Sequence, residues 1–92
     1  MADALHATVR GKVQGVFFRA SVTQVAQGLG LTGWVRNMPS GVEVEVWAEG
    51  ERPKLDKLLE YLHHGPPRAR VDDIAVEWPP PTGQYQEFGT RY

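Results

Sequence analysis

Apolar and polar residues alternate strictly from Leu5 to Arg10, with Leu5, Ala7 and Val9 on one side and His6, Thr8 and Arg10 on the other. A period of two is that of a strand with one buried face. The period changes at Phe18, where Val22, Val25, Ala26 and Leu29 recur at helical spacing. This predicts a helix from about Phe18 to Leu29, stopped by Gly30. Two strand-like runs follow, Leu31 to Asn37 and Val42 to Glu49, joined by Met38-Pro39-Ser40-Gly41 as a hairpin turn. In the second run Val42, Val44, Val46 and Ala48 face the core, and Glu43, Glu45, Trp47 and Glu49 face water. Leu55, Leu58, Leu59 and Leu62 stripe a second helix, which has Pro53 in its first turn and Gly65-Pro66-Pro67 at its end. Val71 to Trp78 reads as another strand, which Pro79-Pro80-Pro81-Thr82-Gly83 cannot continue. A short closing strand is expected around Glu87 to Arg91.

The order is therefore β-α-β-β-α-β plus a terminal strand, in a single domain over residues 1–92 with no linker inside it. Two β-α-β units joined by a hairpin give an antiparallel sheet with both helices on one face, the ferredoxin-like α+β sandwich. The first and second strands of that arrangement run parallel. Arg10 and Asn37, at their carboxyl ends, then emerge at the same edge of the sheet.

Composition narrows the chemistry. With 41% hydrophobic and 23% charged residues, the chain has the balance of an ordinary globular protein. The absence of cysteine excludes disulfides, thiolate metal sites and a cysteine nucleophile. Residues Met1 to His6 lack the basic start and apolar run of a signal peptide. No apolar stretch approaches the roughly 20 residues that span a bilayer. A cytoplasmic protein with no membrane partner is the expectation. A formal net charge of −1 argues against nucleic acid, which calls for a clustered excess of Lys and Arg. No long exposed apolar face calls for a second copy, so a monomer is expected.

The first strand runs into Gly11-Lys12-Val13-Gln14-Gly15-Val16-Phe17-Phe18-Arg19, two glycines four apart and an arginine at the mouth of a helix. Backbone N–H groups converging before a helix N-terminus attract anions through their own donors and the helix dipole. An arginine beside them adds a planar fork suited to phosphate oxygens. Gly11 and Gly15 permit positive φ or close backbone approach. A Walker A loop is excluded, because the glycines are too close and no Lys-Ser/Thr pair follows.

That stretch resembles the first signature of the acylphosphatase family, and Gly33-Trp34-Val35-Arg36-Asn37 resembles the start of its second. Length and element order match as well, so the resemblance covers essentially the whole chain. It implies a small enzyme that hydrolyses acyl phosphates to a carboxylate and inorganic phosphate, with no metal and no cofactor. The resemblance puts the catalytic arginine at Arg19 and the water-holding asparagine at Asn37. It puts the phosphate-cradling backbone at Gln14, Gly15, Val16, Phe17 and Phe18. The chemistry agrees with these roles. An acyl phosphate already carries a good leaving group, so the task is to neutralise the phosphoryl oxygens and hold a water in line. An asparagine can accept from that water while its NH2 fixes the orientation. One departure is visible: the run from Gly41 to Gly50 is a residue longer than the family's second signature usually has. This implies a bulge in the third strand or a longer turn after Met38-Pro39.

Other features have ordinary readings. His63 and His64 do not share a helical face and have no third ligand nearby, so they read as a last-turn pair favoured by the dipole. Asp72 and Asp73 point to opposite sides of a strand. Trp34, Trp47 and Trp78 lie in strands, where packing is the simpler role. Arg10, Lys12 and Arg36 flank the expected site, as steering charges or as plain surface. The first rival function is a non-catalytic ferredoxin-like module that binds a small anion or a protein partner. The second is a domain of a larger maturation enzyme for carbamoyl-phosphate chemistry, disfavoured by Met1 and by the close of the chain soon after its last strand. Nothing in the sequence names the physiological acyl phosphate.

Overall fold

The computed structural model describes residues 2–91, so Met1 lies outside the described residues. Its elements are β1 (Asp3–Lys12), α1 (Phe18–Gly28), β2 (Thr32–Asn37), β3 (Glu43–Gly50), α2 (Arg52–His64), β4 (Arg70–Glu77) and β5 (Phe88–Arg91). One sheet holds the strands in the order β4-β1-β3-β2-β5. α1 packs over β2 and β5, α2 over β1, β3 and β4, and the helices touch each other on that one face.

β1 pairs antiparallel with β3 and β4, and β2 pairs antiparallel with β3. β1 and β2 are thus parallel, and their carboxyl ends reach the same edge as expected. β5, however, joins β2 in parallel, with Gly33 opposite Phe88 and Arg36 opposite Arg91. The sheet is therefore mixed, which corrects the expectation of an antiparallel one. An apolar pattern announces a closing strand but not the edge it joins. Residues 78–87 carry the chain from the β4 edge across to β2.

Periodicity becomes packing as expected. Leu5, Ala7 and Val9 of β1, Val35 of β2, and Val44, Val46 and Ala48 of β3 are wholly buried. They meet Val22 and Ala26 of α1 and Leu55, Leu58 and Leu62 of α2, which are also wholly buried. Each large apolar side chain so placed contributes about 1.5–3 kcal/mol, so these stripes rather than intrinsic propensity hold the short helices. α1 closes where Gly30 N–H donates to Gln27 O at 3.0 Å and Leu31 N–H to Ala26 O at 3.0 Å, a Schellman pattern. α2 has Pro53 in its first turn and His63 and His64 in its last.

Several outward and inward assignments change. Val42 lies in the turn before β3 and is 43% exposed, so it is not a core position. Glu49, expected to face water, is only 5% exposed. It accepts Trp47 Nε1–H at 2.7 Å, Thr82 Oγ1–H at 2.7 Å, and the N–H groups of Thr82 and Gly83 at 2.9 Å each. Burial alone would raise its carboxyl pKa, but the donors from Gly83, Thr82 and Trp47 outweigh burial and hold it below the ordinary glutamate range. Trp78 falls just beyond β4 with the Arg52 guanidinium 3.5 Å over its ring. Trp34 and Trp47 are half-buried and lie outside the core cluster.

β3 keeps an unbroken register against both neighbours, so the longer run before Gly50 makes no bulge in that strand. The register break is in the β1–β4 pairing, where Arg10 faces Asp73 but Gly11 faces Val71. Gly11 has φ +144°, and a Cβ there would collide with the carbonyl oxygen of Arg70. Gly11 therefore belongs to β1 and serves close strand packing.

Candidate active site

Residues 13–17 turn the chain from β1 into α1. Val13 and Val16 are buried and anchor the turn, while Gly15 takes φ +72° at its exposed corner. Phe17 caps α1 in the left-handed region, at φ 63° and ψ 22°, with its ring 79% exposed. It is the only non-glycine residue with positive φ among the described residues. Such a conformation costs about 1–2 kcal/mol and persists where the surrounding structure fixes it. Phe18, buried at 1% exposure, opens the helix and pins the turn to the core.

This conformation leaves backbone donors without acceptors. Among the described residues, the N–H groups of Gly15, Val16, Phe17 and Phe18 have no acceptor, and no side chain caps α1. No acidic residue sits in the first helical turn to compete for the positive end of the dipole. The result is a run of free amides at a helix start, the kind of place that attracts anions.

Arg19 follows in the first turn of α1, half-buried, with Nη1 donating to the carbonyl of Arg91 at 3.3 Å. Asn37 ends β2. Its Oδ1 is buried with no hydrogen-bond partner, the only such side-chain atom among the described residues. Both residues line one cavity of about 300 Å³, together with Val13, Gly15, Phe17, Phe18, Ala20 and Thr90. The β1 and β2 ends thus meet as the topology requires.

Of the expected site residues, Gly15, Phe17, Phe18, Arg19 and Asn37 line this cavity. Val16 turns into the core. The Gln14 side chain turns away and donates through Nε2 to Met38 O and Glu43 O, at 2.9 Å each. Arg10 and Lys12 line a neighbouring hollow of about 480 Å³ with Arg70 and Asp72, and Val13 lines both this hollow and the first cavity. Arg36 does not flank the cavity, because its Nε is committed to Glu45 Oε1 at 2.6 Å. Two contributions had no signal in the pattern: the bracing side chain of Gln14, and the β5 residues Thr90 and Arg91. Thr90 lines the cavity and shares a hydrogen bond with Thr23 of α1 at 3.0 Å. Among the described residues, no three His, Cys, Asp or Glu side chains gather as a metal site.

Fold and cavity define a ferredoxin-like domain with a cavity beside the turn between its first strand and first helix. The family model for acylphosphatase matches residues 5–90. An acylphosphatase of Marinobacter nauticus is 52% identical over 87 residues, covering 95% of this chain and 94% of that protein. The solved acylphosphatase of Coxiella burnetii superposes with a TM-score of 0.91 at 46% identity, covering 98% of this chain and 93% of that one. That of Bacillus subtilis gives 0.93 at 35% identity with both chains fully covered. The chain belongs to the acylphosphatase family, and hydrolysis of a small acyl phosphate is its activity.

Proposed function

We propose that this hydrolysis runs on Arg19, Asn37 and the backbone of Gln14, Gly15, Val16, Phe17 and Phe18, with neither metal nor cofactor. The phosphoryl oxygens take up the loop N–H groups and the Arg19 fork, which offset their charge without reorganisation. A water donates one hydrogen to Asn37 Oδ1 and attacks phosphorus from the side opposite the acyl oxygen. The P–O bond to the acyl group breaks and the carboxylate leaves with its electron pair. The water's remaining acidic proton passes to a phosphate oxygen, so no strong general base is required. The products are a carboxylate and dihydrogen phosphate.

One observation carries this reading: a buried acceptor without a partner, on Asn37, in the same cavity as Arg19 and the unsatisfied amides. Leaving such an acceptor unpaired costs about 1–3 kcal/mol, which a donated water hydrogen offsets. We propose further that the protein acts as a cytoplasmic monomer. Among the described residues, no helix is long and apolar enough to cross a membrane.

Purified protein incubated with benzoyl phosphate and EDTA tests the scheme. Turnover should persist in EDTA and be inhibited by inorganic phosphate. Arg19→Ala should abolish turnover and phosphate affinity together. Asn37→Ala should lower kcat by roughly 10³-fold or more, with phosphate inhibition largely retained. A normal rate in Asn37→Ala removes the water-positioning role, and binding without turnover in the unsubstituted protein favours an anion-binding module.

A further inference from the structure

Phe17 combines two properties that packing does not explain. Its backbone is left-handed, at φ 63° and ψ 22°, a strained conformation for a residue with a bulky side chain. Burial does not compensate the strain, since the residue is 79% exposed, more than any other large apolar residue among the described ones. A single exposed apolar side chain is ordinary on a protein surface. One fixed in a strained conformation is not, and Phe17 lines the cavity that also holds Arg19 and Asn37.

The lining of that cavity divides by chemistry. Arg19 is its one charged residue, with Asn37 and the free amide of Gly15 beside it. Val13, Phe17, Phe18 and Ala20 are apolar. Val13 and Phe18 are buried and Ala20 is small, which leaves Phe17 as the large apolar residue on the solvent side. A volume of about 300 Å³ is at the lower end of the range for pockets that enclose small organic ligands, whose walls combine apolar surface with a few polar groups. In the proposed scheme the phosphoryl oxygens and the attacking water take up the polar groups. Asn37 Oδ1 is buried, so the water on it lies inward, and the acyl group, in line and opposite, lies toward solvent.

We infer that Phe17 is a specificity-determining residue: its ring packs against the acyl group and favours acyl phosphates with an aromatic or otherwise flat apolar acyl portion over small or charged ones. This rests on the reading that Arg19, Asn37 and the loop amides hold the phosphoryl group and the water. Two rings in contact stabilise each other in offset or edge-to-face arrangements. A charge on the acyl group meets no partner in the cavity, because Arg19 is engaged by the phosphoryl oxygens. The contact is the same before and in the transition state, so it acts on KM more than on kcat.

The experiment measures kcat and KM for benzoyl phosphate and for acetyl phosphate in the unsubstituted protein, Phe17→Asn and Phe17→Tyr. Phosphate affinity is measured by calorimetry in these and in Arg19→Ala. Asparagine tolerates the left-handed region, so Phe17→Asn removes the ring and keeps the turn. Both substrates use the same phosphoryl contacts. A disturbed loop, or a difference in leaving-group reactivity, therefore cancels when the benzoyl-to-acetyl ratio of kcat/KM is compared between proteins. That ratio should fall roughly tenfold in Phe17→Asn, mostly through KM, and be kept in Phe17→Tyr. A second measurement needs no variant. Phenacylphosphonate and acetonylphosphonate carry CH2 in place of the bridging oxygen, and the first should inhibit the unsubstituted protein roughly tenfold more tightly. Equal Ki values for the two phosphonates overturn the role of Phe17. So does an unchanged ratio in Phe17→Asn beside lost phosphate affinity in Arg19→Ala, which leaves the site reading intact. Unchanged phosphate affinity in Arg19→Ala overturns the site reading itself.

Discussion

The Gln14 side chain reaches across the sheet edge to Met38, the residue after Asn37, with Nε2 donating to Met38 O at 2.9 Å and to Glu43 O at 2.9 Å. Two pieces that are distant in sequence are thereby set at a fixed spacing: the loop proposed to bind phosphate and the strand end that carries Asn37. Both carbonyls have a second donor, Gly41 N–H on Met38 O at 3.2 Å and Met38 N–H on Glu43 O at 3.0 Å. Removing the Gln14 amide therefore orphans neither acceptor and mainly releases the loop.

Gln14→Met keeps length and volume but supplies no donor. It should cost about 1–2 kcal/mol in urea denaturation, two modest hydrogen bonds. It should also lower kcat/KM roughly tenfold, because catalysis by positioning is sensitive to displacements well below bond length. Gln14→Glu should be worse on both counts, since it turns a carboxylate toward two carbonyl oxygens. A full rate in Gln14→Met would show that the loop keeps its spacing without the brace.

Phe17 holds the left-handed backbone with its ring mostly in water, so its cost is conformational and little burial repays it. Phe17→Gly should raise stability by about 0.5–1 kcal/mol: relief of strain exceeds the extra freedom glycine gives the unfolded chain. Phosphate inhibition should survive, as the cradle is made of backbone. Equilibrium unfolding of the variant, with Ki for phosphate measured alongside, checks both parts.

The division between what sequence carried and what it did not follows interaction range. Strand and helix stripes such as Val44, Val46 and Ala48 or Leu55, Leu58 and Leu62 are local periodicities, and they packed as read. Arg19 and Asn37 were legible through two short motifs, and the parallel run of β1 and β2 brought them to one cavity. Thr90 and Arg91 were not legible, because only the choice of sheet edge for β5 brings Thr90 to the cavity and the Arg91 carbonyl to Arg19. Glu49 reads as a solvent-facing member of an alternating strand. Its burial is made by Thr82 and Gly83, 33 and 34 residues away, in a segment whose proline run signalled only the end of a strand.

Glu49 gives the clearest acid response. Its carboxylate accepts four donors, two on each oxygen, and its folded pKa is lowered. A lowered folded pKa means the stabilisation is present above the unfolded value and is lost as pH falls through the folded one. Glu49→Gln keeps one acceptor oxygen and turns its NH2 on two donors. It should cost about 2 kcal/mol at neutral pH, and the difference from the unsubstituted protein should shrink below about pH 4. Urea midpoints of the two proteins across the acid range test this; a gap constant with pH would mean the carboxylate's charge contributes nothing.

His6 sets the opposite slope on the alkaline side. Its Nε2 lies 2.6 Å from Glu45 Oε2 and its Nδ1 2.8 Å from Glu77 Oε1. Two ionised carboxylates offer only acceptors, so both ring nitrogens must donate and the imidazolium is favoured. Partial burial works against that charge, but the hydrogen bonds to Glu45 and Glu77 outweigh it and raise the His6 pKa. Burial also opposes the charge on Glu45, where hydrogen bonds from His6 and Arg36 prevail and lower its pKa. A raised folded pKa gives stabilisation that is complete below the unfolded value of about 6.5 and disappears as pH rises through the folded value. With the ring still 23% exposed, the contribution should stay below about 1 kcal/mol. His6→Gln should therefore be less stable than the unsubstituted protein near pH 5 and converge with it above about pH 8. An NMR titration of the His6 ring should place its midpoint above 6.5, the ordinary histidine value. A midpoint below it would mean burial prevails and that the two glutamates bind a neutral ring.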